Sequence, residues 1–394
     1  MVTVEEAKKA ILKHTHILAS EKRDVEDAFG FVLAKNIYSP VHLPPFDQSG
    51  MDGYAVIFED VRKKKRISVI GESSAGSVFS KEIKKGQAVR IFTGAKIPKG
   101  ADTVIMQEKV KIEEGYLQIL DTHLFLGANV RKKSSQILKG ALALNKSNQL
   151  NAGAIGYIAG MGIKEVNVYK KPLVTIIVTG SELQKSGTKL KTGNIYESNS
   201  ATLIAALKSI HIDPIEIKCV EDNESKLIRV IKKAEKVSDI VLLTGGISEG
   251  DYDFVGSALN KMKVETIFYK VKQKPGKPLL FGKCKKVLFF ALPGNPAAVL
   301  SCFYNYVYPS IRKTQGDTNV FLTSFKLPIK HEYQKKKGLA NFLKSRIVNN
   351  FAVALDGQES YKLSTFANAN AIIYLSEDME MVKAGTLVDV YLLP

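Results

Sequence analysis

The stretch KPLVTIIVTGSEL, residues 171–183, sets seven consecutive apolar or β-branched residues against a glycine-bearing turn. So short and uncharged a run is a strand covered on both faces. Working outward from it, SNSATLIAALKSI (198–210) reads as a helix with Asn199 or Ser200 as N-cap, and PIEIKCV (214–220) as a strand. ESKLIRVIKKAEKV (224–237) is a helix and DIVLLT (239–244) a strand. KVLFFAL (286–292) is a further strand, and AAVLSCFYNYVYPSIRK (297–313) a helix. Strands alternating with helices predict an α/β domain with a mostly parallel sheet over 169–314.

The flanks have other periods. Thr3 caps a first helix, with Glu6 closing a capping box and Val4, Ala7, Ile11 and Leu12 forming its apolar face. From Ile67 to about Leu144, the runs ISVI, AVRIF, TVIMQ and LQIL alternate with turns, which predicts a small β module. QLNAGAIGYIAGMG (149–162) predicts a tightly packed helix of small residues. Beyond Lys313, TQGDTN (314–319) reads as a linker into a C-terminal β domain carrying FLTSFKLPI, NFLKSRIV, FAVALDG, AIIYL and LVDVYLL. The expected division is a helical or mixed N-terminal domain (1–50 with 135–168), an inserted β domain (51–134), the α/β domain (169–314) and the C-terminal β domain (315–394).

Composition narrows the function classes. With 45% hydrophobic and 24% charged residues the 394-residue chain is of globular type, and no apolar run is long enough to span a bilayer. The N-terminus lacks the apolar core and cleavage site of a signal peptide. Cys219, Cys284 and Cys302 form no CxxC motif and suit a reducing cytoplasm as small core residues. The net charge of +18 would steer anionic small molecules. The basic runs Arg62–Arg66 and Lys335–Lys337 are short and lack interleaved aromatics, which argues against a nucleic-acid partner. No histidine spacing among His14, His16, His42, His123, His211 and His331 suggests a metal site.

Ligands of open parallel sheets bind outside the carboxyl ends of the strands. Three glycine-bearing loops fall there: Thr179-Gly180-Ser181-Glu182-Leu183; Thr244-Gly245-Gly246-Ile247-Ser248-Glu249-Gly250-Asp251-Tyr252-Asp253; and Pro293-Gly294-Asn295-Pro296. Glycine admits close approach of backbone N–H groups to an anion, and the helix after Pro296 would turn its positive end toward a phosphate. Glu182 and Asp253 supply carboxylates for Mg²⁺ beside that phosphate. Lys274-Pro275-Gly276-Lys277-Pro278 sets two cations three residues apart on a proline-stiffened turn, suited to a compact oxyanion such as phosphate or molybdate. Each loop alone is an ordinary turn; three at strand ends of one domain, two carrying acids, predict an anion-binding cleft. Two further stretches, PPFDQSGMDGYA (44–55) and TGAKIPKGADTVIMQE (93–108), concentrate prolines, glycines and acids; on residue chemistry alone both could be interdomain corners.

PPFDQSGMDGYA, TGAKIPKGADTVIMQE, TGSEL, TGGISEGDYD, KPGKP and PGNPAA, in this order, resemble the molybdopterin molybdenumtransferase family, which includes the E domain of gephyrin. The resemblance implies an elongated four-domain homodimer, with a dimer-forming N-terminal domain and an active cleft between protomers. It further implies that adenylated molybdopterin and molybdate are substrates, with Mg²⁺-dependent hydrolysis of the phosphoanhydride and AMP release; a partner adenylyltransferase would supply the pterin. On this reading Asp52, Thr93, Glu182 and Asp253 are catalytic, and Glu182 and Asp253 take the metal. Thr179, Gly180, Gly245, Gly246, Ser248, Gly250, Pro293, Gly294, Asn295 and Pro296 surround the nucleotide, while Lys274, Gly276 and Lys277 hold the oxyanion or pterin phosphate. The family commonly has Asn-Ser-Ala at Gln48-Ser49-Gly50 and Asp or Asn at Ser181; its Gly-Glu-Asp is replaced by Ser134-Ser135-Gln136, so no acid role carries over there. Two rival readings are a molybdopterin adenylyltransferase and a scaffold that kept the fold but lost catalysis.

Overall fold

A computed structural model describes residues 1–247 and 254–394, which form two compact units. The larger holds 1–34, 147–151 and 166–394; the smaller holds 35–146 and 152–165.

The larger unit is built on a six-stranded sheet. Its strands are β1 (Val174–Thr179), β2 (Glu216–Val220), β3 (Ile240–Thr244), β4 (Glu265–Tyr269), β5 (Leu280–Cys284) and β6 (Val287–Leu292). Their order is β2-β1-β3-β6-β5-β4. The first four strands in that order run parallel; β5 and β4 add an antiparallel edge. Every residue of β1, β3 and β6 is buried, as uninterrupted apolar runs require of a sheet covered on both faces.

Helix Asn199–Lys208 starts where the sequence indicates, but neither expected residue caps it. Glu197, two positions before Asn199, does so, its carboxylate accepting from the Ser200 N–H at 2.8 Å and from the Ser200 hydroxyl. The segment after Pro296 is not one regular helix. An α-helix over Pro296–Cys302 widens to a π turn over Phe303–Val307 and resumes over Tyr308–Thr314. Pro309 has no N–H for the carbonyl four residues back, and a widened turn accommodates that gap. The first helix, Val4–His14, carries the expected Thr3–Glu6 capping box and buries Val4, Ala7 and Ile11.

The C-terminal part of this unit is a sheet ordered Gln273–Lys274, Ala340–Val348, Ala371–Leu375, Leu387–Leu392, Ser324–Pro328, with Phe351–Ala354 paired beside Ala340–Val348. Its first strand comes from the Lys274–Pro278 motif: Gln273 and Lys274 pair in parallel with Ala340 and Asn341.

The smaller unit contains another six-stranded sheet, ordered Thr103–Met106, Gly53–Val56, Gln87–Ile91, Ser68–Ser73, Tyr116–Ile119, Val110–Glu113. Helix Ala152–Gly160 differs from expectation, since of its residues only Ile158 is buried. Its glycines leave little side chain to bury, and packing of the described residues does not cover it. Cys302 is buried and Cys284 half-buried, but Cys219 is exposed and is no core residue, because β2 is the outermost strand on its side of the sheet. Among the described residues no helix is long and apolar enough to cross a membrane.

Candidate functional site

The loops after β1, β3 and β6 lie together at the carboxyl ends of adjacent parallel strands, and hydrogen bonds tie them into one wall. The Thr244 hydroxyl donates to the Pro293 carbonyl at 2.9 Å, and the Thr179 hydroxyl to the Thr244 carbonyl at 3.4 Å. Asn199 closes the set: its side-chain amide donates to Thr244 Oγ1 and to the Gly294 carbonyl, both at 2.9 Å. Gly245, at φ +86°, is the contact that lets two loops touch; a Cβ there would stand 2.2 Å from the Thr179 carbonyl oxygen. Sequence periodicity offers Asn199 as a helix cap, but its side chain instead joins two of the loops. Ser248, Gly250 and Asp253 lie outside the described residues.

The loop after β1 has its own brace. The Ser181 N–H donates to Asp222 Oδ2 at 2.9 Å, and the Asp222 N–H donates back to Ser181 Oγ at 3.0 Å. Serine at 181 thus ties this loop to the end of β2. Glu182 is exposed beside this brace. A cavity of about 740 Å³ opens here, bordered by Gly180, Ser181, Glu197, Ser200 and Cys219. Among the described residues no three His, Cys, Asp or Glu side chains are grouped as a metal cage.

The Pro293–Pro296 loop contains a feature that the sequence does not signal. The N–H groups of Ala297 and Ala298 both donate to the Ser360 carbonyl, at 3.0 and 3.3 Å. The Asn295 amide donates to Ser360 Oγ at 2.8 Å. The first N–H groups of the helix therefore already serve a protein carbonyl, which corrects the expectation that they are offered to a phosphate. Lys344 secures the loop carrying Ser360. It is 2% exposed, and its ammonium donates to the carbonyls of Gly357, Glu359 and Lys362 at 2.7, 3.0 and 3.0 Å. Burial pushes its pKa down. A lysine inside the strand-like segment NFLKSRIV, directly after Phe342 and Leu343, is the signal that could have marked it.

In the Lys274–Pro278 motif, Lys274 and Lys277 are exposed while Pro275 and Gly276 between them are buried. The Val271 N–H closes the turn on the Lys277 carbonyl at 3.0 Å. A cavity of about 630 Å³ adjoins Lys274, with Lys335, Lys336, Asn341 and Glu380 on its border.

In the smaller unit, Asp52 and Thr93 come together although 41 residues separate them. Asp52 Oδ1 accepts from the Thr93 N–H at 2.7 Å and from the Thr93 hydroxyl at 2.8 Å. These two bonds, helped by the charge of Arg90, hold the Asp52 carboxyl below the usual carboxylate range. Gln107 joins them by donating its N–H to the Asp52 carbonyl at 3.0 Å, and its side-chain oxygen accepts from the Arg90 guanidinium. Arg90 lies 5.0 Å over the Tyr54 ring and 5.1 Å over Phe92. Arg90 and Gln107 escape a sequence reading because each sits inside an ordinary strand-like run. Ser134, at φ +66°, donates its N–H to the Pro44 carbonyl at 3.0 Å, and its hydroxyl is 2.8 Å from His42 Nδ1. Its backbone is in the left-handed region that favours the family's glycine. The Gln136 N–H bonds the Leu43 carbonyl at 2.9 Å.

Comparison with known proteins agrees over the whole chain. Residues 2–162 match the MoeA N-terminal region (domain I and II), 175–313 a probable molybdopterin binding domain, and 326–393 the MoeA C-terminal region (domain IV). A molybdopterin molybdenumtransferase of Haemophilus influenzae is 33% identical over 397 residues, covering 99% of this chain and 98% of that one. One from Nostoc is 39% identical over 301 residues, 74% of this chain and 69% of the relative. The crystal structure of the molybdopterin biosynthesis moeA protein from Pyrococcus horikoshii superposes with a TM-score of 0.84 at 31% identity, covering 100% of both chains. With three family regions matched in order and a relative 33% identical over 99% of its length, the chain belongs to the molybdopterin molybdenumtransferase family.

Proposed function

We propose that the protein inserts molybdate into adenylated molybdopterin, with Mg²⁺-dependent hydrolysis of the phosphoanhydride and release of AMP. The observation that carries this reading is the wall formed by the loops after β1, β3 and β6, locked through Thr244 and Asn199 at the carboxyl ends of parallel strands. That is where an α/β sheet binds a nucleotide. Thr179, Gly180, Gly245, Gly246, Ser248, Gly250, Pro293, Gly294, Asn295 and Pro296 cradle the nucleotide. Lys274 and Lys277, exposed on a turn with a buried interior, hold the molybdate or the pterin phosphate.

Mg²⁺ keeps several waters and takes only one or two carboxylates together with substrate phosphates. The exposed Glu182 fits an ion shared in that way. Glu182 and Asp253 would hold it, and once bound it would neutralise charge on the phosphoanhydride oxygens. Asp52 has a lowered pKa and is therefore a weak base near neutrality. Its role is to present a fixed negative charge and hydrogen-bond acceptor, oriented by Thr93. The protein acts as a homodimer in the reducing cytoplasm, receives its pterin from an adenylyltransferase, and divides at the four boundaries read from the sequence.

Asp253→Ala separates an enzyme from a scaffold of the same fold. Wild type is expected to restore a molybdenum-dependent apoenzyme when given adenylated molybdopterin, molybdate and Mg²⁺, and the variant to remain at background. Equal background values for both proteins would favour the scaffold. Equal full activity would remove Asp253 from the site.

A further inference from the structure

The Lys274–Pro278 turn is shaped from behind by a buried polar chain. Gln273 is 1% exposed and points its amide into the turn, where Nε2 donates to the Gly276 carbonyl at 2.8 Å. Its Oε1 accepts from the hydroxyl of Tyr306, which is wholly buried in the π turn. Cys302 packs against the same turn, so a Cβ on Gly276 would stand 2.4 Å from its sulfur, and Gly276 itself is at φ +83°.

This chain of groups is out of keeping with its surroundings. Tyr306 and Gln273 sit among Cys302, Phe303, Val307 and Val271, all buried. A phenylalanine would fill the ring's space without burying a hydroxyl, and an apolar residue at 273 would spare the desolvation of an amide. Burial pushes the Tyr306 hydroxyl well above its ordinary pKa, so it remains a proton donor to Gln273 at any working pH. Fully bonded buried polar groups fix one geometry where apolar packing would tolerate several. Here that geometry belongs to a turn whose only exposed residues from Gln273 to Lys277 are its two lysines.

We infer that Gln273 and Tyr306 are positioning residues for the oxyanion, holding the turn in the one shape that sets the separation of the Lys274 and Lys277 ammonium groups. This rests on the reading of that turn as the molybdate site. Neither residue touches substrate; each acts through the Gly276 carbonyl.

The test measures AMP release by full-length protein against molybdate concentration at saturating adenylated pterin and Mg²⁺, with isothermal titration of sodium molybdate alongside. Tyr306→Phe removes one oxygen atom and keeps the ring. Gln273→Met keeps the length and removes both bonds, so it serves if the first variant folds poorly. Each is expected to raise half-saturating molybdate about tenfold, the scale of one buried hydrogen bond. The half-saturation for adenylated pterin and the rate at saturating molybdate should stay within about twofold of wild type, the split that loss of ground-state binding gives. Unchanged molybdate dependence in the folded variants would overturn the inference, as would a parallel rise in both half-saturation constants. Lys277→Met separates the two levels. If it alone raises half-saturating molybdate, the positioning role fails while the oxyanion reading stands. If it too has no effect, the oxyanion reading fails and the positioning role with it.

Discussion

Asp52→Asn is expected to lower molybdate-dependent AMP release by a factor on the order of 10²–10³, the scale of removing one oriented electrostatic group from an active site. The substitution is close to isosteric. The asparagine oxygen can accept the same Thr93 N–H and hydroxyl bonds, so the hydrogen-bonded corner that includes Gln107 stays intact while the charge is lost. The thermal midpoint should therefore move little and the rate a great deal. The two Thr93 bonds lower the Asp52 pKa, so this group is ionised above the usual carboxylate range and protonates only below it. Wild-type activity should consequently show no acid limb from Asp52 between about pH 5 and 8. Thr93→Val keeps the N–H donor and removes the hydroxyl, so the Asp52 pKa should rise part of the way toward its ordinary value. A variant Asp52→Asn with near wild-type rates would take this carboxylate out of the chemistry.

Lys344→Met is expected to give the largest loss of stability, roughly 1–3 kcal/mol for each buried carbonyl left without a donor. The methionine fills the volume of the lysine stem but leaves the carbonyls of Gly357, Glu359 and Lys362 without their shared donor. The effect should reach the Pro293–Pro296 loop, because the same segment carries Ser360, whose carbonyl receives the Ala297 and Ala298 N–H groups. A chain of several cores need not unfold in one step, so hydrogen exchange at these two amides is a better measure than a single melting temperature. Faster exchange at Ala297 and Ala298 than in wild type is the expected result. Unchanged exchange with unchanged stability would mean that the loop holds its shape without the ammonium.

The sheet of the larger unit was legible because parallel strands buried on both faces leave uninterrupted apolar runs. VTIIV, IVLL and VLFFAL each lie on one of the buried strands. The strand-end loops were legible because glycine marks where the backbone must turn sharply. What stayed hidden depends on partners far away in the chain. Nothing near Gln273 and Lys274 shows that they pair with Ala340 and Asn341. Nothing near Ser360 shows that it closes the helix begun at Pro296. Asn199 fits the pattern of a helix cap, and only the folded sheet brings Thr244 and Gly294 within its reach. The exposed helix Ala152–Gly160 shows the converse limit, since its apolar composition does not reveal what covers it.

The most direct test of the central claim follows two leaving groups in one assay. Purified protein is supplied with adenylated molybdopterin, molybdate and Mg²⁺, and in parallel with molybdopterin, ATP and Mg²⁺, and nucleotide products are separated by chromatography. The account predicts AMP in the first mixture, dependent on molybdate, and no pyrophosphate in the second. Pyrophosphate from ATP without molybdate-dependent AMP would contradict it and make the protein an adenylyltransferase.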